Sequence, residues 1–354
     1  MSGLANPPAP RPLEGYFFED YRLGQHLVHA TPRTITQGDV ALYQALTGSR
    51  SAVHCAEPVA RALGHPAMPV DDLLVFHIAF GKTVPDVSYN AVANLGYADV
   101  RFQRPVYIGD TLRCETEIIG LKENSSGKNG NVYVRSTAFN QRNEQVLTWI
   151  RWVMVNKQNL QAPAPAKVVP ELPTEVPAEA LHLLAGLKPR ALQTSVTGGQ
   201  DFWDDYSIGQ VIDHPGGMTL DESDHTLATK LYQNTARVHF DAHRMAASPF
   251  GKRLVYGGHV ISVCRALTYD GLENILSIAA INGGSHVNPT FAGDTLYAKT
   301  RVLGKWELRP DLGALRLRLL GIKNRSATEF NLPFEAPPAD LVLDLDYTVL
   351  IPRH

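Results

Sequence analysis

The sequence has few cysteines, no excess of one charge and no long apolar run, and each of these absences excludes a class of protein. Its three cysteines, Cys55, Cys114 and Cys264, are too few and too scattered for a disulfide framework or a clustered metal site. Lysine and arginine number 33 against 35 aspartate and glutamate residues, so the formal net charge is −2. That balance points neither to nucleic acid nor to an anionic membrane as a partner.

Apolar residues make up 44% of the chain, yet they are dispersed. No apolar run approaches the roughly 18 residues that a membrane-spanning helix needs. Residues 1–12 hold Pro7, Pro8, Pro10 and Pro12 and lack the apolar core of a signal peptide. We therefore expect a cytoplasmic protein with reduced thiols. A length of 354 residues suits two domains of roughly 150 residues each.

The second half of the chain repeats the first. Four ordered features recur at a nearly constant spacing of 184 or 185 residues. The matching pairs are 17–25 with 202–210, Asp39 with Asp224, His54 with His239, and the GDTL of 109–112 with that of 293–296. One early duplication explains all of these matches and predicts two units of the same fold.

A proline-rich stretch separates the two copies. Residues 157–177 contain five prolines among alanine, valine and glutamate. Proline density of this kind holds a chain extended and prevents a packed core. The predicted organisation is therefore an N-terminal unit over 1–156, a linker over 157–191 and a C-terminal unit over 192–354.

Each unit has the same predicted order of elements. A short strand comes first, and Thr36 or Asp221 then opens a short helix as its N-cap. A loop with the histidine follows, and after it an apolar segment, 70–80 or 260–267, suits a buried helix. Three further strands are predicted in each unit: 110–121, 132–139 and 146–155 in the first, and 295–303, 314–321 and 341–350 in the second.

The simplest fold for this order is an α+β fold with one curved antiparallel sheet per unit. A helix that is apolar nearly all round needs a sheet that wraps around it. We expect the two units to pack side by side with joined sheets, because each curved sheet leaves an edge that its duplicate can pair with. A homodimer of whole chains is a further expectation.

The order of these motifs resembles a known family. The order resembles that of the MaoC-like enoyl-CoA hydratases, here duplicated as a double hot-dog. In that order a short strand and a helix are followed by a histidine loop, an apolar helix that opens on glycine, the GDTL motif and three strands. The length and layout are most similar to the mesaconyl-CoA (2-methylfumaryl-CoA) hydratases, also called β-methylmalyl-CoA dehydratases. The resemblance covers residues 17–155 and 202–351. It implies a hydro-lyase that acts on an acyl-CoA thioester without a metal or redox cofactor.

The family's signature pairs an aspartate with a histidine, and neither copy keeps the aspartate. The motif residues are Ser49, Arg50 and His54 in the first copy, and Asn234, Arg237, His239 and Asp241 in the second. Ser49 and Asn234 stand at the aspartate position, and neither can act as a carboxylate base. The histidine therefore remains as the proton carrier that the resemblance implies.

The two copies differ at the start of the central helix. The family places a glycine there whose N–H holds the thioester oxygen, and this position is Gly257, followed by Gly258. In the first copy the position is Asp72, whose charge would oppose that of a developing enolate. The second copy is therefore predicted to be the active one, and the first-copy motif residues stay as second candidates.

The expected chemistry is reversible hydration of a 2-enoyl-CoA thioester, with mesaconyl-CoA and β-methylmalyl-CoA as the pair that the resemblance implies. Neutral His239 would carry the proton, Asn234 would position the water or the enol, and the Gly257 N–H would bind the oxyanion. A dicarboxylic acyl group needs a cation, which Arg237 or Arg50 can provide.

Two further residues, Gly258 and Asp241, are expected beside the substrate, and the CoA tail along the interface of the two units. Structural alternatives stay open for all of these residues. His54 and His239 can be core histidines bonded to backbone, and Asn234 can satisfy loop N–H groups. The glycines can serve close packing of helix and strand, and a lone arginine can lie on a solvated face.

Two rival functions also stay open. A hot-dog thioesterase would use the same fold and hydrolyse the thioester with a nearby carboxylate, for which Asp71, Asp72 and Asp241 are candidates. A non-catalytic subunit that binds acyl-CoA is the second rival, because the signature aspartate is lost in both copies.

Overall fold

The computed structural model describes residues 12–333 and 336–354. The proline-rich opening up to residue 11 and two positions of the insertion before the last strand lie outside this range. The strands are β1 (His26–Val28), β2 (Arg33–Thr34), β3 (Ala91–Phe102), β4 (Thr111–Glu123), β5 (Asn129–Phe139), β6 (Gln145–Asn156), β7 (Val211–Thr219), β8 (Ser277–His286), β9 (Thr295–Arg309), β10 (Leu312–Lys323) and β11 (Leu341–Pro352). The helices are α1 (Gln37–Thr47), α2 (Ala52–Cys55), α3 (Glu57–Ala62), α4 (Asp72–Val87), α5 (Thr194–Thr197), α6 (Glu222–Leu231), α7 (Arg237–Phe240), α8 (Ala242–Met245) and α9 (Gly257–Leu267).

The strands form one antiparallel sheet in the order β1-β4-β5-β6-β3-β8-β11-β10-β9-β7, and β2 pairs with β4 off this path. The first half of the chain supplies one end of the sheet and the second half supplies the other. They meet where β3 pairs with β8, with Tyr97 opposite Gly284 and Val100 opposite Ile281. The prediction that the two sheets are joined is confirmed.

The two strands that make this junction are missing from the sequence-based prediction. β3 and β8 are rich in alanine, glycine and asparagine rather than in the β-branched and aromatic residues that mark a strand. Gly96 approaches the Trp152 ring on β6 so closely that a Cβ atom would lie 2.7 Å from its Cη2 atom. Glycine is needed at residue 96 because the Trp152 ring occupies the space of a side chain.

The two predicted central helices are α4 and α9, and each is packed against its own half of the sheet. α4 contacts β4, while α9 contacts β7, β9, β10 and β11. The structure moves the start of α4 from the predicted residue 70 to Asp72, because the Asp71 carboxylate caps the helix by accepting the Leu73 N–H at 2.9 Å. α9 begins at Gly257, where the family pattern placed the helix start, three residues before the predicted apolar segment that begins at residue 260.

The repeated GDTL motif makes the same turn in both halves. Gly109 and Gly293 both have φ of +95°, a left-handed conformation that favours glycine. The carboxylates of Asp110 and Asp294 each accept the backbone N–H three residues earlier at 2.9 Å. The motif is therefore a structural device that feeds the chain into β4 and β9.

The segment between the units is packed onto the protein. Val176, Leu181 and Leu187 are buried in a cluster with residues of both halves, among them Leu63 and Leu276. The prediction that proline density prevents packing over 157–177 is therefore wrong at Val176, while Leu181 and Leu187 lie beyond that stretch. The unit boundaries at 156 and 192 stay a prediction. In the described parts of the chain, no helix combines the length and the apolar character that crossing a membrane demands.

Candidate active site

A cavity of about 720 Å³ lies where the two halves of the molecule meet. Its wall is formed from one side by the end of α4, by β3 and by β6. The other side supplies the histidine loop, the start of α9 and the end of β8. The polar and ionisable lining residues are Ser88, Tyr89, Asn90, Asn94, Tyr97, Arg151, Asn156, Asn234, Arg237, His239, Arg244, Ser248, Tyr256, His286, Asn288 and Thr290.

His239 is held as a neutral imidazole with a defined tautomer. It lies on the short helix α7, and its Nδ1 is 3.0 Å from the backbone oxygen of Leu254, so the Nδ1–H donates. Nε2 is left without a proton and can accept one. Burial lowers the pKa of His239 to about 4, so the ring is neutral at pH 7.

Asn234 stands at the turn before α7 and is buried. Its Oδ1 accepts the Ala236 N–H at 3.1 Å, so the oxygen holds the loop and the amide N–H₂ can donate to a ligand. The preceding residue, Gln233, has φ of +52°, where the first copy has Gly48 with φ of +67°. Lys82 of α4 donates to the Gln233 side chain and thereby ties the loop to the other half.

Gly257 opens α9, and its N–H belongs to the first turn, where no carbonyl lies one turn earlier to accept it. The glycine lies against His286: a Cβ atom at residue 257 would be 2.5 Å from Nε2 of that ring. Gly258 has a different role. A Cβ atom there would be 2.5 Å from Cζ of Tyr256 and 2.6 Å from Nδ1 of His77, and Gly258 is not among the cavity-lining residues.

A second histidine of the cavity, His286, was missed by sequence reasoning. Its Nε2 is 3.0 Å from the hydroxyl of Tyr97, which comes from the other half of the sheet. Burial raises the pKa of Tyr97, so the phenol stays protonated and donates. Burial lowers the pKa of His286 to about 4. The sequence holds one signal that could have identified His286. The equivalent position of the first copy, 184 residues earlier, is Phe102, so the histidine is specific to the second copy.

The predicted arginines lie in different places. Arg237 lines the cavity, where its guanidinium is 4.4 Å from the Tyr89 ring centroid and donates to Asn90 Oδ1 at 3.3 Å. Arg50 is exposed and forms an ion pair of 2.7 Å with Asp270. It lies outside the lining of this cavity.

Asp241 also lies outside the lining. Its carboxylate accepts the Arg244 N–H at 2.9 Å and caps α8. Four predicted residues, His239, Asn234, Gly257 and Arg237, are therefore brought together at one cavity. The other second-copy predictions, Gly258 and Asp241, are not.

The first copy keeps the histidine geometry, but in the described structure the pocket beside its histidine is small. His54 Nδ1 lies 3.2 Å from the Pro69 oxygen, as His239 does from Leu254. Ser49, Arg50 and His54 line only a small pocket of about 30 Å³. Asp72 fills the position of the glycine, accepts the Ile278 N–H at 2.8 Å and comes to 3.9 Å from His54 Nε2.

The charged side chains in the described lining of the large cavity all carry positive charge. Its described lining contains three arginines, Arg151, Arg237 and Arg244, and neither aspartate nor glutamate. Such a wall favours an anionic ligand. The Asp71 and Asp72 carboxylates belong to the small pocket of the first copy instead.

Comparison with solved structures defines the class. The fold matches a MaoC domain protein dehydratase from Chloroflexus aurantiacus with a TM-score of 0.93 and 51% identity, covering 98% of this chain and 100% of the other. It also matches a Mycobacterium tuberculosis protein with a double hotdog fold at a TM-score of 0.76 and 25% identity, covering 96% and 99%. The chain is thus a double hot-dog protein of the MaoC-like class, and the predicted fold is confirmed.

Sequence comparison narrows the class to one family. A family model of mesaconyl-CoA hydratase matches residues 11–317. The chain is 52% identical over 360 residues to a β-methylmalyl-CoA dehydratase of Chloroflexus aurantiacus, covering 100% of both. It is 51% identical to a mesaconyl-CoA hydratase of Cereibacter sphaeroides, covering 96% of this chain and 98% of the relative. The chain belongs to the mesaconyl-CoA hydratase family and is a hydro-lyase, as the sequence predicted.

Proposed function

We propose that the protein adds water reversibly to mesaconyl-CoA to form β-methylmalyl-CoA. The observation that carries the proposal is the meeting of the unprotonated Nε2 of His239 and the helix-opening N–H of Gly257 at one arginine-lined cavity. The relatives named for these two compounds match the chain over nearly its whole length.

His239 carries the proton in both steps of the reaction. Its Nε2 takes a proton from water while the oxygen of that water bonds to the β-carbon of the double bond. The imidazolium then returns a proton to the α-carbon. The Leu254 carbonyl, which accepts the Nδ1–H throughout, stabilises the transient positive charge and keeps the ring in orientation.

Gly257 supports the enolate that forms between these steps. Its N–H at the positive end of α9 donates to the thioester oxygen as that oxygen gains charge. His286 closes this site on one side, and Asn234 offers its amide N–H₂ to the water or the enol. The free carboxylate and the CoA phosphates meet the arginines of the wall.

The cavity favours hydration over the thioesterase alternative. A thioesterase of this fold would need a carboxylate near the thioester carbon, and the described lining holds none. A non-catalytic binding role would leave the positioned His239 and Gly257 without a use. The cytoplasmic location, the homodimer and the absence of a metal or redox cofactor stay predictions.

The test is one assay with two readouts. Purified protein with mesaconyl-CoA should deplete the absorbance of the conjugated thioester without releasing free thiol, and should run backwards from β-methylmalyl-CoA. Release of thiol would support the thioesterase alternative. Binding without turnover would support the non-catalytic one.

A further inference from the structure

Arg151 forms part of the cavity wall although its side chain is fully buried. It extends from β6 of the first half of the sheet. Its guanidinium lies 4.1 Å from the Phe80 ring centroid and donates to Thr83 Oγ1 at 2.9 Å and to Ser88 Oγ at 3.3 Å. Among the residues that the structure describes, its partners are thus hydroxyl groups and an aromatic ring, with no carboxylate.

The charge of Arg151 nevertheless persists. Burial lowers its pKa to about 10, so the guanidinium is still protonated at neutral pH. Three lysines in the described chain are also buried. Lys157 lies 3.1 Å from Glu123 and Lys299 lies 2.5 Å from Asp213, whereas Lys82, which is not in the cavity wall, donates to the Gln233 side chain. A buried charge without a counter-ion is costly, so its retention in a cavity wall calls for a ligand that neutralises it.

The same wall holds further buried polar atoms without a partner in the described structure. They are Nε of Arg151, the hydroxyl of Tyr256 and both polar atoms of the Asn94 amide. Nearly all buried polar groups in proteins are paired, so a cluster at one cavity indicates where a ligand binds. Arg151, Tyr256 and Asn94 can all donate hydrogen bonds, which suits an anion rather than a cation.

The position of Arg151 relative to the reacting groups fits the free carboxylate of the acyl chain. Tyr97 lies between Arg151 and Gly257. Its ring centroid is 6.2 Å from that of Phe80, the ring that the Arg151 guanidinium covers. Its hydroxyl is hydrogen-bonded to His286, which lies against Gly257. In mesaconyl-CoA the free carboxylate is only two carbons beyond the α-carbon of the thioester. Arg237 is only partly buried and Arg244 is exposed, so both lie nearer to solvent.

We infer that Arg151 supplies the counter-charge for the free carboxylate of a dicarboxylic acyl-CoA, an inference that rests on the proposed function. Surrounding rings shield the guanidinium from water, so its attraction for a carboxylate in the cavity is little screened. The first half of the molecule, whose own glycine position is Asp72, thereby contributes acyl recognition to the site of the second half. Arg237, the candidate from sequence, is left for the phosphates of CoA.

The experiment compares mesaconyl-CoA with crotonyl-CoA, a 2-enoyl thioester without the free carboxylate, in wild type and in Arg151→Met. We expect kcat/KM for mesaconyl-CoA to fall by roughly 30-fold to several thousand-fold, because the carboxylate loses its partner, while that for crotonyl-CoA changes little. Arg237→Met is the matched control and should weaken both substrates alike. An equal loss for both substrates in Arg151→Met would overturn the inference and leave the proposed function standing.

Two further outcomes are decisive. If Arg151→Met does not fold, Arg151→Lys keeps the charge but not the planar donors, and it should show the same selective loss on a smaller scale. If Arg151→Lys treats the two substrates as wild type does, Arg151 is not the partner of the free carboxylate. If Arg237→Met instead loses activity only with mesaconyl-CoA, Arg237 is that partner. Wild type that hydrates crotonyl-CoA but not mesaconyl-CoA would overturn the proposed function itself.

Discussion

The imidazole of His286 occupies the space that a side chain on residue 257 would need. A Cβ atom on Gly257 would lie 2.5 Å from Nε2 of His286, well inside van der Waals contact. The two residues are 29 positions apart and come from different elements, the start of α9 and the end of β8. This contact makes glycine necessary at the position whose N–H we propose as the donor to the thioester oxygen.

Replacing this glycine tests the oxyanion site. Gly257→Ala should lower kcat by about 10² to 10³-fold, because the new methyl group displaces His286 and tilts the first turn of α9. Gly38→Ala is the matched control: it also lies in the first turn of a helix, is exposed, and has no atom closer than 3.6 Å to the new Cβ. Steady-state kinetics should show no change in Gly38→Ala. Comparable losses in both variants would refute the role of Gly257.

The two equivalent histidines should differ in importance. His239→Ala should lower kcat by roughly 10² to 10⁴-fold with the fold intact, because the proton carrier is lost. His54→Ala should do much less, since His54 lines only the small pocket beside Asp72. Turnover and the melting temperature of each variant are the measurements. A larger effect of His54→Ala would assign catalysis to the first copy.

Restoring the aspartate of the MaoC-like signature at residue 234 should shift the pH dependence of kcat/KM. In wild type the lowered pKa of His239, about 4, keeps kcat/KM level down to weakly acid pH and makes it fall as the pH drops through that value. Asn234→Asp adds a negative charge to the same cavity wall, which favours the imidazolium and should move the acid limb upward by about one pH unit or more. A pH profile identical to that of wild type would mean that a charge at residue 234 does not change the pKa of His239.

Buried histidines should destabilise the protein in acid. Burial lowers the pKa of His65, His214, His239, His259 and His286 to about 4, against an ordinary value of 6.5. Between these values the unfolded chain binds more protons than the folded one, so the free energy of unfolding falls as the pH falls from 6.5 towards 4. Urea denaturation across that window measures the slope.

A single substitution provides the control for that slope. His65→Gln removes one such group far from the large cavity and should reduce the slope by about one proton near the middle of the window. Stability that stays independent of pH across the window in wild type would contradict the burial of these rings.

Local features of the fold could be predicted from the sequence. Thr36 and Asp39 make a capping box at the start of α1, and the GDTL motif makes the same turn twice. Such features depend on hydrogen bonds and backbone angles within a few residues, which a short pattern specifies. The central helices were found for the same reason, because an apolar segment indicates its own burial.

The duplication also indicated which histidine to examine. His239, Asn234 and Gly257 were named from the repeat and the family pattern, and they line one cavity. The pattern could not show that Asp241 caps α8 or that Arg50 pairs with Asp270, because both facts depend on what lies opposite each side chain in the folded chain.

By itself, then, the sequence determined the repeated hot-dog units and the family, and it named His239 and Gly257 as candidates, since all of these depend on local patterns and their spacing. Only the tertiary structure decided which other residues line the same cavity. Tyr97 and His286 are hydrogen-bonded across 189 positions, and Arg151 reaches the cavity from the half of the molecule that lacks the glycine. The Tyr97–His286 contact arises where β3 pairs with β8, and Arg151 comes from the neighbouring strand β6. The small residues of β3 and β8 carry no periodic signal that would have marked either strand.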